Sequence, residues 1–230
     1  MIQKTLKTTQ GKLTIAIPDK LEEVTLGQMM ALQEKTDLDD LEAISILSGI
    51  ALNELKNVKN MDDFAVFAEA IVSLSHQIQH LYNSDAIPKN ITFTNGKTVR
   101  VIGNLSVEPA GAFMAAREAI ADEINDHIKL YGDEDWEQRF NPSLKACCQV
   151  LAHYFYCRVT GKPYNEYEAE EFTDEIKKLR VTEALPISKH FFSCYPNLST
   201  AKTGFFHRLR RRWSSGRALR SFKSLSISTL

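Results

Sequence analysis

Residues 12–17 alternate polar or small side chains with Leu13, Ile15 and Ile17 until Pro18 interrupts. A period of two predicts a strand, and proline ends it because it has no N–H to give a ladder. Thr25 is placed as a helix N-cap, with Leu26, Met29, Met30 and Leu32 following at near-helical spacing. Asp37 or Asp39 can cap the next helix, whose apolar positions are Leu41, Ile44, Leu47 and Ile50, with Gly49 near its end as a stop or a bend. A short helical piece over 52–58 follows. Asn60 or Asp62 then opens a longer helix with a stripe of Phe64, Phe67, Ala68, Ile71, Leu74, Ser75, Ile78 and Leu81.

Asn95-Gly96 separates two alternating runs, 91–94 and 97–102. That pattern is a strong short-range hairpin signal, since glycine and asparagine tolerate the positive φ of a tight turn. A two-stranded hairpin is marginal alone and needs a third strand or a helix over one face. Residues 12–17 are the candidate partner. Pro109 opens a long helix to about Leu130, with Gly132 after it. Ser143 starts the most apolar helix, carrying Leu144, Cys147, Cys148, Val150, Leu151, Tyr154, Phe155 and Val159. Apolar nearly all round, it is expected at the centre of the core. One acidic helix follows to Leu179, then a short one from Glu183 or Pro186 to Cys194.

The elements predict a predominantly helical α+β fold: about six to eight helices with a small antiparallel sheet made of hairpin 91–102 plus strand 12–17. Residues 1–198 are expected to form the helical domain, with a division into two sub-units near 104 left open. Residues 199–230 are expected to form a flexible basic tail.

Charge changes this picture. The chain carries 28 Lys and Arg against 29 Asp and Glu, a net of −1. Nine of the basic residues lie in 184–230, which has no acid at all, leaving 19 basic against 29 acidic side chains in 1–183. An acidic body of −10 therefore precedes a basic end of +9. The tail mixes Arg208, Arg210, Arg211, Arg212, Arg217 and Arg220 with Trp213. Guanidinium groups can pair with phosphates and Trp can stack on a base, so DNA or RNA is one partner; an acidic protein surface or an anionic membrane surface would suit the same mixture.

Candidate chemistry is sparse. No glycine-rich phosphate loop, nucleophile elbow or His-Glu-x-x-His pattern occurs, and no Cys-x-x-Cys pair supports zinc. His76 and His80 share a helix face but lack a third ligand. Cys147 or Cys148 with His153 would pair a thiol and a base, but in so apolar a helix burial makes a thiol inert. The acidic run from Glu166 to Glu175 reads as a solvated face or a docking face for a basic partner. No catalytic residue, metal or cofactor is assigned. No apolar run approaches the roughly 20 residues that span a bilayer, and no secretory segment is visible, so secretion is not expected.

Residues 17–28, with Thr25-Leu26-Gly27-Gln28 at a helix start, resemble a group of small proteins from tailed bacteriophages. Leu47-Ser48-Gly49-Ile50, Asp135-Trp136-Glu137, Gly161-Lys162-Pro163-Tyr164 and Leu185-Pro186-Ile187 extend the resemblance over most of 12–195. Leu105-Ser106-Val107-Glu108-Pro109 departs from it, and the tail after Ala201 has no counterpart. The resemblance implies a non-enzymatic assembly factor of the tail-assembly-chaperone type, or a minor virion component. Its partners would be phage structural proteins, and its place the host cytoplasm or the virion. A nucleic-acid-associated protein and an enzyme of unrecognised type are the alternatives.

Overall fold

The chain begins with two antiparallel strands, β1 (Ile2–Thr8) and β2 (Gly11–Ile17), paired from Ile2↔Ile17 to Thr8↔Gly11. These come from a computed structural model that describes residues 1–35, 37–78, 81, 86–132, 134 and 136–195. Two units divide the chain, Met1–Pro196 and Asn197–Leu230, and every described residue belongs to the first. The expected basic tail lies outside the described residues.

Helices α1 (Leu26–Gln33), α2 (Asp40–Ser48), α3 (Leu52–Leu55) and α4 (Ala65–Ile78) follow. Next come β3 (Asn90–Thr92) and β4 (Thr98–Arg100), then α5 (Ala110–Tyr131), α6 (Trp136–Arg139) and α7 (Leu144–Thr160). The described chain closes with α8 (Glu166–Glu171), α9 (Thr173–Ile176) and α10 (Val181–Cys194). The fold is α+β and predominantly helical, with two small antiparallel sheets.

Helix α7 is the axis. Leu144, Cys147, Val150, Leu151, Tyr154 and Phe155 are all buried, and α1, α5, α8, α9 and α10 pack around it. Burying a helix on all sides requires side chains that leave no polar group unpaired. Tyr154 meets this requirement, because its hydroxyl donates to the Ile102 carbonyl at 2.9 Å and accepts from Ile102 N at 2.7 Å.

The sheet differs from the sequence expectation. Residues 12–17 pair with 2–7, and β3–β4 is a separate sheet. Strand β1 escapes a periodicity search because Lys4, not an apolar residue, stands between Ile2 and Leu6 on its inward face. Its ammonium donates to the Asp63 carbonyl and to Asp63 Oδ1, both at 3.0 Å. The hairpin forms, but with a three-residue loop: Phe93 N bonds to Lys97 O, Gly96 N to Phe93 O, and Gly96 takes φ 79°. Helix α7 covers it instead of a third strand. Phe93 meets Phe155 at 5.3 Å, Lys97 Nζ donates to Val159 O, and Arg158 donates to Arg100 O.

The expected acidic helix is two short ones, α8 and α9, broken at Phe172. Phe172 turns inward there to meet Phe93 and Tyr156.

Candidate functional site

Thr25 explains the first turn of α1. Its Oγ1 accepts from Gln28 N at 3.2 Å, and Gln28 Oε1 accepts from Thr25 N at 2.9 Å, a reciprocal capping box. The next donors of that turn are met by the segment after α9: Leu26 N bonds to Leu179 O and Gly27 N to Lys177 O, each at 2.8 Å. This close approach favours glycine. A Cβ on residue 27 would stand 3.0 Å from Lys177 Cβ and 3.1 Å from its carbonyl oxygen.

Helix α2 is framed by an Asp39–Glu42 capping box and by Gly49, which turns left-handed at φ 71°. Beyond it, Ser45 Oγ donates to Ile50 O and Ile50 N donates to Ser48 Oγ, which curls the chain back over the helix end. Gln28 then links the two helices, since its Nε2 donates to Leu47 O at 2.8 Å.

The result is an open groove of about 430 Å³ between α1 and the end of α2, lined chiefly by Gly27, Gln28, Ala31, Ile46, Gly49 and Ile50. Both motif segments reach it, 25–28 from one side and 47–50 from the other. The lining holds no acid, base or thiol, and its one hydroxyl, Ser45, donates to Ile50 O at 2.7 Å, so the groove is mostly apolar. Among the other resembling segments Leu185 and Ile187 serve packing and Tyr164 is half-buried, while Glu137, Gly161, Lys162 and Pro163 are exposed and Asp135 lies outside the described residues. Tyr164 lies over Gly111, where a Cβ would come within 2.6 Å of its ring, and its hydroxyl stands 3.0 Å from His153 Nδ1. Leu185 and Ile187 are core residues.

The remaining sequence candidates separate. Cys147 and Cys148 are buried in α7, and burial pushes their thiols up to about 12 and about 11, out of nucleophile range. His153 is buried too, on the side of Tyr164. His76 is exposed near the end of α4, and His80 lies outside the described residues. Among the described residues no cluster of His, Cys, Asp or Glu could hold a metal ion. The acidic run is largely engaged locally: Glu168 with Lys162 and Tyr156, Asp174 with Lys177, Glu175 with Lys178 and Thr94. Arg208, Arg210, Arg211, Arg212, Trp213, Arg217 and Arg220 all lie outside the described residues.

Residue spacing gave no sign of two polar features. Gln28 reads as a capping residue, and its second bond depends on a helix about 20 residues away. The Arg158 guanidinium pairs with Glu108, through Nε at 2.6 Å and through Nη2, beneath the Tyr154 ring. No helix of the described residues is long and apolar enough to cross a membrane. The chain matches no known family model, no curated protein and no solved structure.

Proposed function

We propose that this chain is a non-enzymatic phage assembly or virion structural protein of the tail-assembly-chaperone kind, acting by contact with other phage proteins. The α1–α2 groove is its docking face. The observation that carries the reading is that Gly27 and Gln28 of the first leading segment of the phage-protein resemblance, and Gly49 and Ile50 of the second, line one open, uncharged groove. Leu26, Leu47, Leu185 and Ile187 are motif residues covered by packing, whereas the four at the groove border open space. An apolar side chain from a phage structural protein fits the lining, with Gln28 at its edge.

Affinity purification of the full chain from infected cells tests this. A defined particle component should co-purify with the wild type and be lost with Ala31→Arg, which places a charged side chain in the groove. If the same component binds both proteins equally, the groove is not the docking face. Particle analysis then divides the two forms of the proposal: an assembly factor is absent from the mature virion, and a structural protein remains in it.

A second reading has its own support in the composition. Nine basic residues and no acid after Glu183 suit phosphate contact through Arg208, Arg210, Arg211, Arg212, Arg217 and Arg220, with Trp213 stacking. It requires binding to DNA or RNA that weakens steeply with salt and disappears when residues 201–230 are deleted.

A further inference from the structure

Lysines stand in one row on the outer face of the first hairpin. Along β1 and β2, the side chains of Ile2, Lys4, Leu6, Leu13, Ile15 and Ile17 share one face. Those of Gln3, Thr5, Lys7, Lys12, Thr14 and Ala16 share the other, where Lys7 lies directly opposite Lys12. The segment after α3 extends this row beyond β1. Thr9 N bonds to Asn57 O at 2.9 Å, Lys59 N bonds to Lys7 O at 3.0 Å, and Thr8 bridges Val58 in the antiparallel sense. That pattern sets Lys59 opposite Lys7, so its side chain joins the same face. Lys12, Lys7 and Lys59 therefore stand abreast across two strand spacings, about 10 Å. All three are exposed. Beside them Gln3, Thr5 and Thr14 are exposed too, with the two threonine hydroxyls 2.9 Å apart.

Like charges directly opposite each other destabilise a sheet, and the body does not answer these. No Asp or Glu occurs in residues 1–18 or 55–60. Lys4, Lys35, Lys129, Lys162, Lys177 and Lys178 are each paired with an acid. Lys7, Lys12 and Lys59 enter no ion pair among the described residues. The rest of the face narrows what anion would meet them. The strands present no aromatic or large apolar side chain to it. A membrane surface needs apolar anchors, a protein interface needs an apolar centre, and a single strand stacks its bases on aromatic rings. Duplex DNA needs none of these, because its bases stay stacked inside and its phosphates lie outside. Lysine ammonium, threonine hydroxyl and glutamine amide groups are all donors that such phosphates accept from.

We propose that the outer face of the β1–β2 hairpin binds the phosphate backbone of duplex DNA, with Lys12, Lys7 and Lys59 as its charged row. The contact reads no base sequence, since nothing on the face reaches a base edge. The acidic remainder of the body repels DNA elsewhere and confines the contact to this end. The face is separate from the α1–α2 groove and from the residues after Glu183, and depends on neither. Three phosphate contacts are weak at physiological salt, so deletion of 201–230 decides the tail reading there, and the lysine row is measured at low salt.

Amine acetylation of the full chain at low salt, with and without mixed-sequence duplex DNA, tests the proposal when mapped lysine by lysine by mass spectrometry. DNA should slow the acetylation of Lys7, Lys12 and Lys59 severalfold and leave the exposed Lys20 and Lys145 unchanged. Raising the salt should remove the protection. The double variant Lys7→Gln, Lys59→Gln relieves like-charge contacts, so thermal unfolding should find it at least as stable as the wild type. It should end the protection of Lys12 and reduce the slope of log affinity against log salt by about two. Equal acetylation of the three lysines with and without DNA would overturn the proposal. So would protection extending equally to Lys20 and Lys145, or a slope that the variant leaves unchanged. Protection by polyglutamate or by anionic lipid vesicles, but not by DNA, would give the face another partner and overturn it equally.

Discussion

Gln28 and Leu47 are joined by a hydrogen bond of 2.8 Å from the Gln28 side-chain amide to the Leu47 carbonyl. The same side chain caps its own helix through Thr25 N at 2.9 Å. One residue thus fixes both the start of α1 and the distance to the end of α2. Gln28→Ala should lower stability by about 1–2 kcal/mol, the sum of a weakened cap and one lost part-buried bond. Gln28→Glu keeps an acceptor for Thr25 N but offers no donor to Leu47, so it should recover only part of that loss. Urea unfolding of the three proteins measures both.

A methyl group at Gly27 would crowd Lys177. The obstruction is backbone as well as side chain, since Lys177 O would be 3.1 Å from the new Cβ. Gly27→Ala should cost about 1–3 kcal/mol and loosen the contact between α1 and the segment after α9. Faster exchange at the Leu26 and Gly27 amides would report that loosening directly.

The four thiols should respond unequally to iodoacetamide near neutral pH. Cys147 and Cys148, pushed up to about 12 and about 11 by burial, carry almost no thiolate and should stay unmodified until the protein unfolds. Cys194 is exposed and should react first. Peptide mapping after timed alkylation gives the order; early modification of Cys147 would place α7 away from the core.

Glu108 and Arg158 form the described pair most withdrawn from solvent, with side-chain exposures of 4% and 19%. Glu108→Ala should cost about 3–5 kcal/mol, because it leaves a guanidinium without its partner beneath Tyr154. The companion change Arg158→Met in the same background should restore part of the loss. A double-mutant cycle by chemical denaturation measures the coupling.

Glu168 supplies a pH signature. Hydrogen bonds from Lys162 and then Tyr156 hold its carboxyl below the usual glutamate value. A folded value below the unfolded one stabilises the protein above the unfolded value, and that contribution is lost as pH falls through the folded value. Carbon-detected NMR titration should find Glu168 ionising below an ordinary glutamate, and Lys162→Met should move it back up.

The legible parts of the fold are those whose signal is local. The α7 sequence is apolar nearly all round, with only Lys145 and Gln149 left exposed in its first half, so its central place could be read without knowing what surrounds it. Asn95-Gly96 carries a hairpin in its own backbone preferences, although Phe93 sets the loop length. The illegible parts depend on distant partners. Lys4 hides β1 because its ammonium is met by Asp63, 59 residues away. Phe172 divides the acidic helix because Phe93 and Tyr156 offer it an aromatic site. Thr25–Gln28 and Leu47–Ile50 stood out as motifs, but only the Gln28 bond to Leu47 shows that they meet at one groove.

Photo-cross-linking at the groove tests the central claim most directly. A benzophenone amino acid placed at Ile46, in cells producing the phage, should form one defined adduct with a phage structural protein, identified by mass spectrometry and lost when Ala31→Arg is added. The absence of any phage-protein adduct from Ile46, or an adduct unchanged by Ala31→Arg, would contradict the account.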